Sequence, residues 1–178
     1  LSSNNKPYAR VNIYSCGAFN GAGNGISANA GAILERCRAT GNAKRGVYVQ
    51  GAIDANQVGA LVIGNYSFFN NEGGIEATGG SNIVNDNVVY DNGGFGINTG
   101  TASIVDGNEI WILASTTGIQ VDTDDCQIKN NTIDGKSLSS TTGITVASGS
   151  DDTVIGGNKM IDVTTEITDA GTGTIIYP

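Results

Sequence analysis

Glu76, Asp122, Asp124 and Asp125 are the side chains whose type and placement best suit acid–base chemistry in this sequence, with Asp151 and Asp152 a little further on. Hydrolysis of a glycosidic bond needs two carboxyls, about 5–5.5 Å apart for retention and about 6.5–9.5 Å for inversion. Asp122, Asp124 and Asp125 also have the oxygen-ligand chemistry of a calcium site, should they converge with turn carbonyls. Calcium is therefore the one cofactor to consider. Elimination or epimerisation asks instead for a base beside a cation that offsets the charge building on an enolate. The basic residues Arg36, Arg38, Lys44 and Arg45 cluster early in the chain, either as contacts for an acidic glycan or as a solvated face. Solvated turn carboxylates are the plain alternative for the acidic set.

Several chemistries are excluded outright. There is no histidine. Cys16, Cys37 and Cys126 show no CxxC spacing, so zinc-finger, Cys-His and Ser-His-Asp arrangements all fall away. A net charge of −8, with nine basic residues dispersed along the chain, argues against nucleic acid as a partner. No apolar run approaches the roughly 18 residues of a membrane-spanning helix, so no membrane partner is expected. The opening LSSNNKPYAR lacks a basic segment followed by an apolar one, and Leu1 is not a start methionine. The chain is expected to be one domain over residues 1–178, processed or cut from something longer.

The elements that must position these groups are set by a repeat. Glycine followed by a β-branched residue recurs in GIS, GVYV, GIEA, GINT, GIQV and GITV, with EIT completing the series and Glu166 standing where glycine is expected. The anchors Ile26, Val47, Ile75, Ile97, Ile119, Ile144 and Ile167 follow one another every 21 to 28 residues. A second column, Asn65, Asn87, Asn108, Asn131 and Asn158, shares that period, and Cys16 and Cys37 occupy its register upstream. Twenty-seven glycines and twenty asparagines beside two prolines supply many left-handed turns. Units this short, with period-2 apolar spacing, cannot hold helix pairs. They predict an all-β fold, a single-stranded parallel β-helix of about seven rungs, each of three short strands, with rungs about 4.8 Å apart.

The G-I-x-V and I-x-x-N-x-I pattern, over residues 10–177, resembles the right-handed parallel β-helix of the pectate-lyase-like superfamily, which includes polysaccharide lyases, pectin hydrolases, alginate epimerases and bacteriophage tailspikes. The resemblance implies that fold and a polysaccharide or surface glycan as partner. DTDDC (122–126) is similar to the aspartate-rich strand ends of polygalacturonases, which would make those aspartates catalytic. The His-containing turn and Arg-x-Lys triplet of those enzymes have no counterpart, and the Asp-Pro-His-Glu signature of alginate epimerases is missing.

Alternation along each strand assigns the faces. In the first strand, Tyr48, Glu76, Asn98, Gln120 and Thr145 point outward as one column, with few basic residues beside them. In the third strand Ser67, Val89, Ile110, Ile133 and Met160 point inward, and Thr40, Phe68, Tyr90, Trp111, Asp134 and Ile161 outward. Phe68, Tyr90 and Trp111 are thus expected to be exposed in register, as an oligomer interface, a sugar-stacking platform or packing beneath a folded-back loop. The Asn column is expected to take the left-handed corner itself and to bond amide to amide between rungs. Cys16 and Cys37 are either stacked thiols or a disulfide, and Cys126 stands alone.

Two insertions, QGAIDANQVGA (50–60) and DGKSLSSTTG (134–143), are long enough to wall a groove. Neither terminus has the polar outer face of a solenoid cap, so capping by a neighbouring domain or subunit is expected. Three functions stay open: a tailspike-type or surface glycan-binding or depolymerising protein, extracellular or on a virion, with a homotrimer as its assembly; a free-standing polysaccharide lyase, hydrolase or epimerase; and a structural or adhesin rod without catalysis.

Overall fold

The computed structural model describes residues 11–52, 58–114 and 116–178. They form a parallel β-solenoid with three sheets, and no helix occurs among them. The first sheet stacks Ile26–Ala28, Arg45–Gln50, Gly73–Thr78, Phe95–Thr99, Thr117–Val121, Thr142–Val146 and Thr165–Asp169. The second runs in eight strands from Asn12–Tyr14 to Ile175–Ile176, and the third in seven from Gly17–Phe19 to Lys159–Ile161. The seven anchors from Ile26 to Ile167 are consecutive register partners, as the repeat predicts.

A single interior core runs along the coil. Val47, Ile75, Ile97, Ile119 and Ile144 fill it from the first sheet, Leu34, Val62, Val84, Val105 and Ile128 from the second, and Val89, Ile110 and Ile133 from the third. One inward residue of the third sheet is polar. Ser67 is fully buried, and its hydroxyl donates to the Gly74 carbonyl at 2.8 Å, which removes the cost of an unpaired hydroxyl in the core.

The corners share a construction that differs from the expectation at one point. The left-handed residue is not the corner Asn but the one before it: Ser15, Arg36, Gly64, Asp86, Gly107, Asn130 and Gly157 all have φ between 50° and 66°. That twist turns the following side chain inward, where Asn65, Asn87, Asn108 and Asn131 are buried. Each of these asparagines directs its backbone N–H and its Nδ2 to the Oδ1 of the next rung's asparagine, at 2.9–3.0 Å, and sends Nδ2 also to a carbonyl of the second sheet.

Two further ladders follow the same rule. Asn42, Asn70 and Asn92 line the corner between the third and first sheets, each preceded by a left-handed residue, Gly41, Phe69 and Asp91. Asn82 and Ser103 line the corner between the first and second sheets, behind left-handed Ser81 and Ala102.

The glycines of the G-I repeat have a different reason to be glycine, since their φ is ordinary. A Cβ on Gly74, Gly96, Gly118 or Gly143 would sit 2.5–2.6 Å from the carbonyl oxygen of the corresponding residue one rung on. Glu166 lies in the last strand of that sheet among the described residues.

Candidate functional site

The outward column of the first sheet is in place. Tyr48, Glu76, Asn98, Gln120 and Thr145 are register partners on five successive rungs, each half-buried. Strand alternation puts them on the face opposite Ile75, Ile97 and Ile119. They form a continuous polar strip along the solenoid axis, with one residue per rung.

Glu76 is not a free carboxylate. Its side chain is only 12% exposed, and Oε2 accepts a hydrogen bond from Arg45 Nε. Arg45 NH1 lies 2.6 Å from Glu72 Oε2, so one guanidinium serves two carboxylates. The Tyr48 hydroxyl accepts a 3.4 Å bond from Thr78 Oγ1 beside them. The basic cluster expected from the sequence is dispersed: Arg36 pairs with Glu35 at 3.3 Å, Arg38 lies over aromatic rings, and only Arg45 joins the first-sheet strip. Sequence reasoning missed Arg45 as a member of this site because its partners come from the following rung.

Asp122, Asp124 and Asp125 separate. Asp122 is exposed and accepts from Asn98 Nδ2 at 3.0 Å and from Gln120 Nε2 at 2.8 and 2.9 Å, which makes it part of the strip. Asp124 Oδ1 accepts the backbone N–H of Asp151 at 2.9 Å, closing a turn between rungs. Asp125 has φ 58° and its N–H meets the Asp151 carbonyl at 2.9 Å; it is the left-handed residue that turns Cys126 inward. The three aspartates do not converge, and no group of three or more Asp, Glu, Cys or His able to hold a metal ion occurs among the described residues. The aspartates point to different tasks because the corner rule uses alternate positions for alternate faces.

The aromatic column is also in register, Phe68 against Tyr90 and Tyr90 against Trp111. Its exposure differs from the expectation. Phe68 is 5% exposed, because Tyr90 stacks on it at 4.5 Å and 5°, the Phe69 edge meets it at 5.5 Å, and the Arg38 guanidinium covers it at 4.6 Å. Tyr90 and Trp111 are half-buried, and the rings that project on this side are Phe19, Tyr66 and Phe69, at 57%, 50% and 54% exposure. The 134–143 insertion reaches back past the Trp111 rung, where Lys136 Nζ meets Asp91 Oδ1 at 2.5 Å. It therefore lies at the corner between the third and first sheets, where Ser137 also meets Asp162. The centre of the 50–60 insertion, residues 53–57, lies outside the described residues.

The three thiols are free. Cys37 is buried with Sγ near the Ile13 and Glu35 carbonyls, and Cys126 is buried against the Gly100 carbonyl at 3.2 Å. Burial and the neighbouring Cys37 thiol push Cys16 up to about 11, and burial also raises Cys126. The thiolate is the reactive form, so alkylation of Cys16 in the folded protein is expected to quicken about tenfold per pH unit up to about 11. Labelling followed by mass spectrometry checks this; a rate that levels off near the ordinary thiol value would contradict it.

The family model described as "Right handed beta helix region" matches residues 50–177. No curated protein matches the chain. Among solved structures, the A-module of a mannuronan C-5 epimerase from Azotobacter vinelandii matches with a TM-score of 0.65 over 95% of this chain, at 15% sequence identity. The chain spans 58% of that module's length. At this identity the likeness is one of fold.

Proposed function

Because the chain belongs to the right-handed β-helix family and carries a polar strip with one side chain per rung, we propose that it binds a polysaccharide along its first sheet. The observation that carries this reading is the alignment of Tyr48, Glu76, Asn98, Gln120 and Thr145 on successive rungs. Rungs about 4.8 Å apart match the length of one pyranose unit, so a linear glycan lying along the axis meets an equivalent position at each sugar. The likeness in fold to a module of a protein named for its action on mannuronan supports a polysaccharide as the ligand class. A glycan array probed with the whole chain tests it: retention of at least one linear glycan is expected, and an array with no binding would reject the reading.

The finer proposal is a tailspike-type or other surface glycan-binding protein, extracellular or on a virion, assembled as a trimer and capped by neighbouring domains. What supports it is the exposed Phe69 beside Tyr90 and Trp111 on the third sheet, an aromatic face away from the strip. Light scattering is expected to give a trimer mass that Phe69→Asn lowers to that of a monomer; a wild-type monomer would set the trimer aside.

A catalytic reading, as lyase, hydrolase or epimerase, is favoured by one observation, the Arg45 guanidinium held beside Glu76. This places a cation next to a carboxylate. Assays for new reducing ends and for the absorbance of an unsaturated product distinguish enzyme from binder.

A further inference from the structure

From the charge and hydrogen-bonding sense of the strip, we infer that the glycan it takes is uncharged, a neutral or N-acetylated polymer, and not a polyuronate; this rests on the reading of the first sheet as the glycan site. Among the seven first-sheet strands the one cation is Arg45, against Glu76, Glu166 and Asp169. Glu72 precedes the third of those strands and Asp122 follows the fifth. Arg45 is already engaged by both Glu72 and Glu76. Lys44, exposed, lies in the turn leading into that strand and not within it. A polyuronate lying one sugar per rung would bring a carboxylate to each rung of a surface whose own charge is negative.

The hydrogen-bonding sense points the same way. The Asn98 and Gln120 amide nitrogens are turned onto Asp122, which leaves their oxygens directed elsewhere as acceptors. Ionised carboxylates such as Glu76 and Asp122 accept and cannot donate. The centre of the strip is therefore rich in acceptors, and it is complemented by the hydroxyl and acetamido donors of an uncharged glycan. A uronate carboxylate brings more acceptors to a strip whose uncommitted donors are few, the Tyr48 and Thr145 hydroxyls and the second Nδ2 proton of Asn98. The chain's net charge of −8 adds a long-range repulsion of the same sign.

The test is a calorimetric titration of the whole chain with oligosaccharides of cellulose, mannan and chitin, and with oligomers of polygalacturonate and polymannuronate, at low and high salt. Tighter binding of a neutral or N-acetylated oligomer than of either polyuronate, with an affinity that salt leaves unchanged, supports the inference. Glu72→Gln combined with Asp122→Asn releases Arg45 from one partner and lowers the negative charge. It is expected to raise polyuronate affinity by about tenfold. Tighter binding of a polyuronate to the wild type, weakened by salt and lost in Asn98→Ala/Gln120→Ala, overturns the inference while upholding the site. If no glycan binds, or if binding survives that double substitution, the reading of the first sheet itself fails and the inference falls with it.

Discussion

Asn108→Ala is expected to destabilise the fold by on the order of 4 kcal/mol, read as a shift in equilibrium denaturant unfolding against wild type. Asn108 Oδ1 accepts both the backbone N–H and the Nδ2 of Asn87 at 2.9 Å. Asn108 Nδ2 reaches the Val84 carbonyl at 2.8 Å and Asn131 Oδ1 at 2.9 Å. Alanine leaves two donors of Asn87 in a place with no access to water, since both side chains are at most 1% exposed. Each buried orphan costs about 1–3 kcal/mol, which is far more than the net worth of a hydrogen bond exchanged with solvent. Asn98→Ala, on the outer face, is the matched control and should shift stability by less than about 0.5 kcal/mol. A loss below about 1 kcal/mol at Asn108 would mean that the ladder does not hold the rungs together.

Gly96→Val is expected to cost about 3 kcal/mol or more, because the added atoms have nowhere to go. A Cβ there lies 2.6 Å from the Gly118 carbonyl oxygen and 2.6 Å from Ile110 Cγ2. One of these is backbone of the next rung and the other is core, so relief requires either separating two rungs or displacing a packed isoleucine. Gly23→Ala is the contrast, since a Cβ at Gly23 meets nothing within 4 Å. Thermal unfolding of the two variants should differ clearly in midpoint. Equal midpoints would show that close approach between rungs is not why glycine occupies the repeat.

The architecture was legible because two signals carried it independently. The Gly-Ile anchors and the Asn column share one period, and strict alternation within three-residue strands then fixes which side chains face out. The Asn42/Asn70/Asn92 and Asn82/Ser103 ladders were not read, because the side chains completing those columns vary and the intervening loops change length. Nor was the left-handed position before each corner, which Ser, Arg, Gly, Asp and Asn all fill, so no single residue type marks it. Two site-level differences have the same origin. Phe69 takes φ 56°, where Gly, Asn or Asp is usual, and its ring meets Phe68 edge to face; nothing in local preference announces that. Arg45 looked like part of a basic cluster until the fold brought Glu72 and Glu76 alongside it from the next rung. Conversely, Asp124 and Asp125 suited catalysis or calcium by composition, yet the corner geometry assigns them to turns. Asp122 alone of the three stands on the strip.

The most direct test of the central claim is glycan binding by wild type and by Asn98→Ala/Gln120→Ala, measured by calorimetry with the best ligand from the array. The two substitutions remove amides from adjacent rungs of the strip without touching the core. Each hydrogen bond lost is worth about 0.5–1.5 kcal/mol, so affinity should fall by roughly tenfold or more while the unfolding midpoint stays in place. Unchanged affinity in the double variant would contradict the assignment of the first-sheet strip as the glycan site.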